Sequence, residues 1–375
     1  MTTTALTFLS LLLLASTVSA DVSVNMVDLL WSRTSHGQPF MWNRNRSRAS
    51  MQSASTSGFK VIRFAASGYW PVDHQMWINE TTRPLFYSAL DSVFEDASTF
   101  DVQLIPSMMW QVFTFVDVCN EPMSQLMRNT SSCSFNLTHK YFTAIIERYS
   151  TKFSKNIYAW EIGNEMNLEV DLSSPGTVAP QMGTPAKRTS LDNFTTADMQ
   201  SFQSHVLGWI HSLHPAAKVS SGHAIPRQGA WHLRQSYYSK HRDWTHDTQQ
   251  QYIETIMDQN KGFDLVSVHL YPSADLHRFN LSPSELFQYT VNQMKQRNRT
   301  MFLGEFGVDL PDRHNKSSPM YDFTKEMVEI IIKNEHDVLG ANYWIWEFPN
   351  QNDSFSIYPG LDDDTIRVLQ SGNSE

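Results

Sequence analysis

"IYAWEIGNE", residues 157–165, is an aromatic and β-branched run that carries two glutamates four apart, Glu161 and Glu165. Such a composition, closing on Gly163 and Asn164, reads as a strand over 157–164 with Glu165 at its end. A carboxylate within an apolar strand is costly unless it is paired or used. The fold follows from how often this pattern recurs along the chain.

Seven further runs share the character: 24–30, "FKVIRFA" at 59–65, "VQLIPSM" at 102–108, "AKVSSG" at 217–222, "FDLVSVHLY" at 263–271, "TMFLGEFG" at 300–307 and "GANYWIW" at 340–346. Between them apolar residues fall at helical spacing, as in Tyr141, Phe142, Ile145 and Tyr149, or Met199, Phe202, Val206 and Ile210. "SPSE" at 282–285 offers Ser282 as N-cap, Pro283 as first helical residue and Glu285 to close a capping box. Weaker helical patterns lie at 46–57 and 248–259. Eight strand–helix alternations predict a (β/α)8 barrel forming a single domain over 21–375, with a doubly wound open sheet as the alternative. Neither GxGxxG nor a P-loop occurs, so no nucleotide cofactor is expected, nor any other.

The chain has 375 residues, 41% hydrophobic and 12% aromatic, which is ample for a large core. Its net charge of −9 is spread evenly, with "NRNRSR" at 43–48 the only basic cluster, which disfavours nucleic acid and anionic membranes as partners. Residues 1–20 combine an apolar run, Phe8 to Ala15, with Val18-Ser19-Ala20, and predict a signal peptide cleaved between Ala20 and Asp21. That run is shorter than the roughly 20 residues a bilayer requires, so no membrane anchor is expected. Secretion is the expected destination, with a lysosomal or vacuolar compartment also open. Two cysteines, Cys119 and Cys133, are expected to form a disulfide there rather than remain free thiols. Nine Asn-x-Ser/Thr sites, at Asn45, Asn79, Asn129, Asn136, Asn193, Asn280, Asn298, Asn315 and Asn352, are candidate glycosylation positions. Nothing in the sequence points to an oligomeric state.

Polar residues stand at the predicted strand ends, where a barrel gathers its functional groups. Glu165 ends the fourth strand and Glu305 the seventh, and two carboxylates converging across a barrel mouth suit glycosidic cleavage. His269 and Tyr271 in "HLYP" share one face by alternation, as do Trp344 and Trp346 in "YWIW". Arg63, within the second strand, needs a carboxylate partner, and Glu161 is the candidate. No metal constellation stands out. His211 and His214 suit a solvated helix face, and "LDDDT" at 361–365 lacks the ligand pattern of a calcium loop.

"WEIGNE", "HLYP", "GEFG" and "YWIW", in that order on strands four, six, seven and eight, with an Arg on strand two, resemble the retaining glycoside hydrolases of clan A, closest to family 5, the cellulases and β-mannanases. The resemblance implies Glu165 as general acid/base and Glu305 as nucleophile. It further implies Asn164 on the sugar 2-hydroxyl, Arg63 and Tyr271 on the nucleophile, His269 lining the site and Trp344 flooring the subsite of the cleaved sugar. The implied partner is a β-linked oligo- or polysaccharide. "AWEIGNE" and "HLYP" look more like the β-mannanase branch. Met166 stands where many members carry Pro, "NMVDLLW" lacks the Gly-x-Asn of the first strand, and "SMMW" at 107–110 lacks the His that often ends the third. Long insertions at 111–137, 169–195 and 224–246 leave internal cleavage of chains, trimming of chain ends and sugar transfer all open. A non-catalytic carbohydrate-binding barrel is the further alternative.

Overall fold

A computed structural model of the chain describes residues 21–30, 43–173, 188–273 and 277–373. Within them β1 (Asp21–Asn25), β2 (Val61–Ala65), β3 (Gln103–Ser107), β4 (Trp160–Glu161), β5 (Val219–Ser220), β6 (Leu265–Leu270), β7 (Thr300–Phe306) and β8 (Val338–Tyr343) pair in parallel and in chain order. β8 pairs back onto β1, closing the barrel. The long helices between and after them are α1 (Arg44–Thr56), α2 (Arg83–Thr99), α3 (Cys133–Tyr149), α4 (Thr196–Leu213), α5 (Gln249–Gln259), α6 (Pro283–Gln296), α7 (Phe323–Lys333) and α8 (Asp363–Ser371). This is the expected (β/α)8 barrel, and the open-sheet alternative falls with its closure. Ser282 caps α6 with Glu285 completing the box, as its sequence predicts.

Alternate strand residues divide two cores. Ile62, Phe64, Val266, Val268, Met301 and Leu303 face outward into the main core beneath the helices. Val61, Ile105, Ala159, Leu265, Phe302 and Leu339 fill the lower barrel interior. Above that apolar plug the inward positions turn polar, with Asn25, Arg63, Glu161, Ser267, His269 and Asn342 all buried. A plug below and polar groups above orient the chemistry toward the C-terminal mouth.

Strand limits differ from the sequence reading in four places. The first strand lies at 21–25 rather than 24–30, the fourth and fifth shrink to two residues each, and the last ends at Tyr343 rather than 346. Of the apolar residues that prolonged those patterns, Val27, Trp344 and Ile345 leave the ladder and join Trp110 and Phe348 in one buried cluster at the mouth. Once β8 ends, alternation no longer applies. Trp344 and Trp346 therefore do not share a face: Trp344 lines the mouth, whereas Trp346 packs edge-on against Phe59 at 5.4 Å in the main core.

The insertion at 111–137 folds into two short helices, Thr114–Cys119 and Met123–Arg128, before α3. Cys119 and Cys133 are joined, with an S–S distance of 2.05 Å. Glu121 accepts the N–H groups of Cys133 and Ser134 at the start of α3, satisfying donors that a helix leaves open. The asparagines of eight sequons are exposed, and Asn193 is half-buried, its Nδ2 donating to the Ser173 carbonyl. The leader at 1–20, with Ala20, lies outside the described residues, as does 174–187 of the second insertion, and Asp21 opens β1. No helix among the described residues is long and apolar enough to cross a membrane. His211 approaches Asp264 while His214 accepts from Trp160 Nε1, so the two histidines turn to separate partners. Asp362 of "LDDDT" is taken up by Arg313, also as an acceptor.

Candidate active site

Arg63 organises the polar layer. Being wholly buried on β2, its guanidinium is satisfied on every side: Nε lies 2.8 Å from Glu161 Oε1, Nη1 donates to Glu305 Oε1 at 2.6 Å and to Asn25 Oδ1 at 3.2 Å, and Nη2 donates to Asn164 Oδ1 at 2.8 Å. Burial by itself would favour the neutral form, but the charges of Glu161 and Glu305 outweigh it and raise the Arg63 pKa above its ordinary value. Glu161, enclosed in the barrel, thus pairs with Arg63, while Glu305 reaches up from β7 toward the mouth.

Glu305 owes its direction to an irregularity. On β7 Phe302 points inward and Leu303 outward, so strict alternation would turn Glu305 away from the interior. Pairing with β6 shifts register between Val268 and His269, with Leu303 opposite Val268 and Glu305 opposite His269. Gly304 is the extra residue, and the bulge swings Glu305 inward. A Cβ at Gly304 would lie 2.6 Å from His269 Nε2, so only glycine lets the imidazole occupy this place. Tyr271 donates to Glu305 Oε2 at 2.6 Å. Burial, then the negative charge of Glu305, push the Tyr271 pKa well up, so it remains a donor.

Glu165 follows the two-residue β4 in a left-handed conformation, φ 51°, with its N–H donating to the Gly222 carbonyl at 2.8 Å. Gly222 itself has φ 71°, and a Cβ there would lie 1.8 Å from the Gly163 carbonyl oxygen, so β4 and β5 meet too closely for any side chain. The Glu165 side chain keeps 31% of its surface accessible, enough to be touched by a ligand. Protein nevertheless surrounds it, and this desolvation raises its carboxyl pKa, with Arg63 and then Arg227 opposing. His269 Nδ1 lies 3.0 Å from Glu165 Oε1 and 3.6 Å from Glu305 Oε1. Burial lowers the His269 pKa to about 4, outweighing the attraction of Glu305. Its Nε2 is buried with no partner among the described residues, so we place the single proton on Nδ1, facing the carboxylates.

Glu165 and Glu305 each present an oxygen within 4.8 Å of the other and of a His269 nitrogen. Three such donors could in principle meet a small cation, but the Arg63 guanidinium at 2.6 Å from Glu305 already supplies the positive charge. Around them opens a depression of 840 Å³. Trp344 and Trp110 line one wall with nearly parallel rings 6.0 Å apart, Trp344 Nε1 donates to Gln351, and Trp110 lies over Arg63 at 4.7 Å. Tyr69 stands beside them, its pKa pushed up to about 12 by burial and by the charges of Glu305 and Glu165.

All seven residues singled out from the sequence, Arg63, Asn164, Glu165, His269, Tyr271, Glu305 and Trp344, thus meet at one mouth, Arg63 beneath the other six. The sequence reading passed over Asn25, whose amide also donates to the Gly304 carbonyl at 3.0 Å, and Trp110, Tyr69, Glu169, Arg227 and Trp244, which line the depression. The Trp closing "SMMW" was the available signal for Trp110, whereas Asn25, with Ser23 beside it in "VSVNM", does not stand out. The others sit on loops, where periodicity is silent.

No protein-family profile matches the sequence, and no curated protein matches it. Solved structures do match the fold. The chain superposes on the endo-β-1,4-mannanase from Thermotoga petrophila with a TM-score of 0.64 at 15% identity, over 96% of this chain and 78% of that one. A glycoside hydrolase family 5 mannosidase from Rhizomucor miehei gives 0.58 at 13% identity, covering 95% and 92%. XacCel5A, solved in complex with cellopentaose, gives 0.57 at 14% identity, covering 95% and 99%. At these identities the likeness establishes a common fold, the (β/α)8 barrel.

Proposed function

We propose that the protein is a secreted retaining β-glycoside hydrolase of the family 5 type, cleaving β-linked hexosans such as β-1,4-mannan or β-glucan without a cofactor. The observation that carries this reading is the pair Glu165 and Glu305, with oxygens within 4.8 Å of each other at the floor of one depression, in unlike surroundings. Retaining enzymes hold their two carboxyl groups about 5–5.5 Å apart, whereas inverting ones leave about 6.5–9.5 Å for a water. The endo-mannanase and family 5 mannosidase folds that the chain superposes on lend further support.

The two surroundings suit two roles. Glu305 receives charge-assisted hydrogen bonds from Arg63 and Tyr271 that fix its oxygens for attack on the anomeric carbon. Glu165, its pKa raised by burial, retains a proton for the glycosidic oxygen. In the first step the Glu305 oxygen bonds to C1 as the C1–O bond breaks and Glu165 protonates the departing oxygen. In the second, Glu165 takes a proton from water, whose oxygen displaces Glu305. Trp344 offers an apolar face to the sugar ring, and Asn164, held by Arg63, is placed for the 2-hydroxyl. The disulfide and the exposed sequon asparagines support passage through an oxidising, glycosylating route.

The test is turnover of β-1,4-mannan, β-1,4-glucan and β-1,3-glucan oligosaccharides by the purified mature protein, with the product anomer followed by NMR. One series should be cleaved with retained configuration, and Glu305→Gln should lose at least about 10²- to 10⁴-fold in rate. No cleavage of any series by folded protein would turn the reading toward a carbohydrate-binding barrel, and inverted product would refute double displacement.

A further inference from the structure

Glu165 stands on a strained backbone. Its φ of 51° and ψ of 28° lie in the left-handed region, which a residue with a side chain keeps only when its surroundings enforce it. With 31% of that side chain open to the mouth, the aim of the carboxyl depends on the backbone beneath it. Whatever enforces this backbone therefore also sets where the proton is delivered.

The enforcing contacts come from one neighbouring segment, 222–227, which follows β5. Ahead of the turn, the Glu165 N–H is taken by the Gly222 carbonyl at 2.8 Å. Met166–Leu168 then forms one tight turn, the Leu168 N–H donating to the Glu165 carbonyl at 2.9 Å. The Asn167 side chain, buried behind that turn and away from the lining of the depression, clasps both backbone groups of Ala224. Its Nδ2 donates to the carbonyl at 2.8 Å and its Oδ1 accepts the N–H at 3.1 Å. Nδ2 also donates to Gln259 Oε1 on α5 at 2.9 Å, which ties the clasp to the helical layer. At the far end of the turn, Arg227 Nε and Nη2 both donate to the Leu168 carbonyl, at 2.9 and 2.7 Å. Segment 222–227 is itself anchored. The Ile225 N–H donates to the His269 carbonyl at 3.2 Å, and the buried Arg278 donates to the carbonyls of Pro226 and Arg227 at 2.8 and 3.1 Å. His269, whose ring meets the Glu165 carboxylate at 3.0 Å, thus also carries the backbone that steadies the turn behind it.

We infer that Asn167 and Arg227 are positioning residues: they clamp the turn behind Glu165 to segment 222–227 and so aim its carboxyl at the departing oxygen. Without them the turn keeps only the Gly222 contact and its own internal hydrogen bonds, and Glu165 relaxes toward negative φ, which swings its Cβ and carboxyl off line. A displacement on the order of 1 Å is enough to cost about 10² in rate. This rests on the glycosidase reading and adds to it the two side chains, outside the reacting groups, on which proton donation depends.

The experiment uses phenyl and dinitrophenyl β-glycosides of the glycone that the mature wild type cleaves. Phenolate departs poorly without a proton, whereas dinitrophenolate departs without one, so the ratio of their kcat/KM values reports proton donation by Glu165. Neither aryl group carries sugar hydroxyls, and kcat/KM extends only to formation of the covalent sugar, so saccharide contacts and the later attack by water do not enter. Asn167→Ala and Arg227→Ala are compared with wild type, folding being checked by thermal melting. Each should lose at least about tenfold more on the phenyl than on the dinitrophenyl glycoside, out of the roughly 10²- to 10⁴-fold that general acid catalysis supplies. Arg227→Lys, which keeps a donor for the Leu168 carbonyl, should lose less than Arg227→Ala. Should Asn167→Ala fail to fold, the exposed Arg227 decides by itself. Equal losses on the two substrates, or none on either, overturn the role of the residue concerned while leaving the glycosidase reading intact. A wild type that cleaves no glycoside overturns that reading and the inference with it.

Discussion

Glu161, Arg63 and Glu305 share one buried cation between two carboxylates, yet their fates on substitution differ. Glu161 lies entirely inside the barrel and takes two contacts from Arg63 Nε, at 2.8 and 3.0 Å. Glu161→Gln would leave Arg63 with half its compensation, and breaking a buried pair costs about 3–5 kcal/mol. Denaturant unfolding should therefore show a loss of that order alongside reduced activity, and unchanged stability would refute a structural role for Glu161. The pairing of Glu161 with Arg63 was legible in the sequence from position: Glu161 sits deeper in the strand and Glu165 at its end. Asn25 was not, because one asparagine ending a strand carries no signal of the three-way contact it makes.

At the level of elements, the decisive feature is the β7 bulge. Gly304 supplies the extra residue that brings Glu305 inward, and the His269 ring fills the space where its Cβ would stand. Gly304→Ala should displace the imidazole or open the bulge and move the Glu305 carboxylate. Misplacement on the order of 1 Å costs about 10² in rate, so kcat/KM should fall by about that factor on any cleaved substrate while the protein still folds. Full activity in this variant would show that the bulge tolerates a Cβ. "GEFG" marks Glu305 as a strand-end residue, but alternation alone gives the wrong face, since a bulge depends on how the neighbouring strand packs. Likewise "IYAWEIGN" looks like an eight-residue strand, but only Trp160 and Glu161 pair as one.

For the molecule as a whole, buried histidines link stability to acidity. His74 packs among Trp77, Phe115 and Tyr141, and burial lowers its pKa from 6.5 to about 3. His223 is lowered from 6.5 to about 3 for the same reason, with His269 adding to it. Unfolded, each would take up a proton as pH falls below 6.5, whereas folded it resists until about 3. Their contribution is therefore complete above the unfolded pKa and is lost progressively across that window. The thermal midpoint should fall between pH 6.5 and 3, and His74→Phe should make that fall shallower; an identical slope would exclude His74 as a source.

The order of strands and helices, the barrel and the seven residues at its mouth were determined by the sequence itself, because period, cap and strand-end position are local properties. Tertiary structure alone decided the face of Glu305, the separate places of Trp344 and Trp346, and which loop residues line the depression. Each of these depends on a bulge, a strand end or a loop brace, which are set by how distant segments pack and leave no periodic trace in the chain.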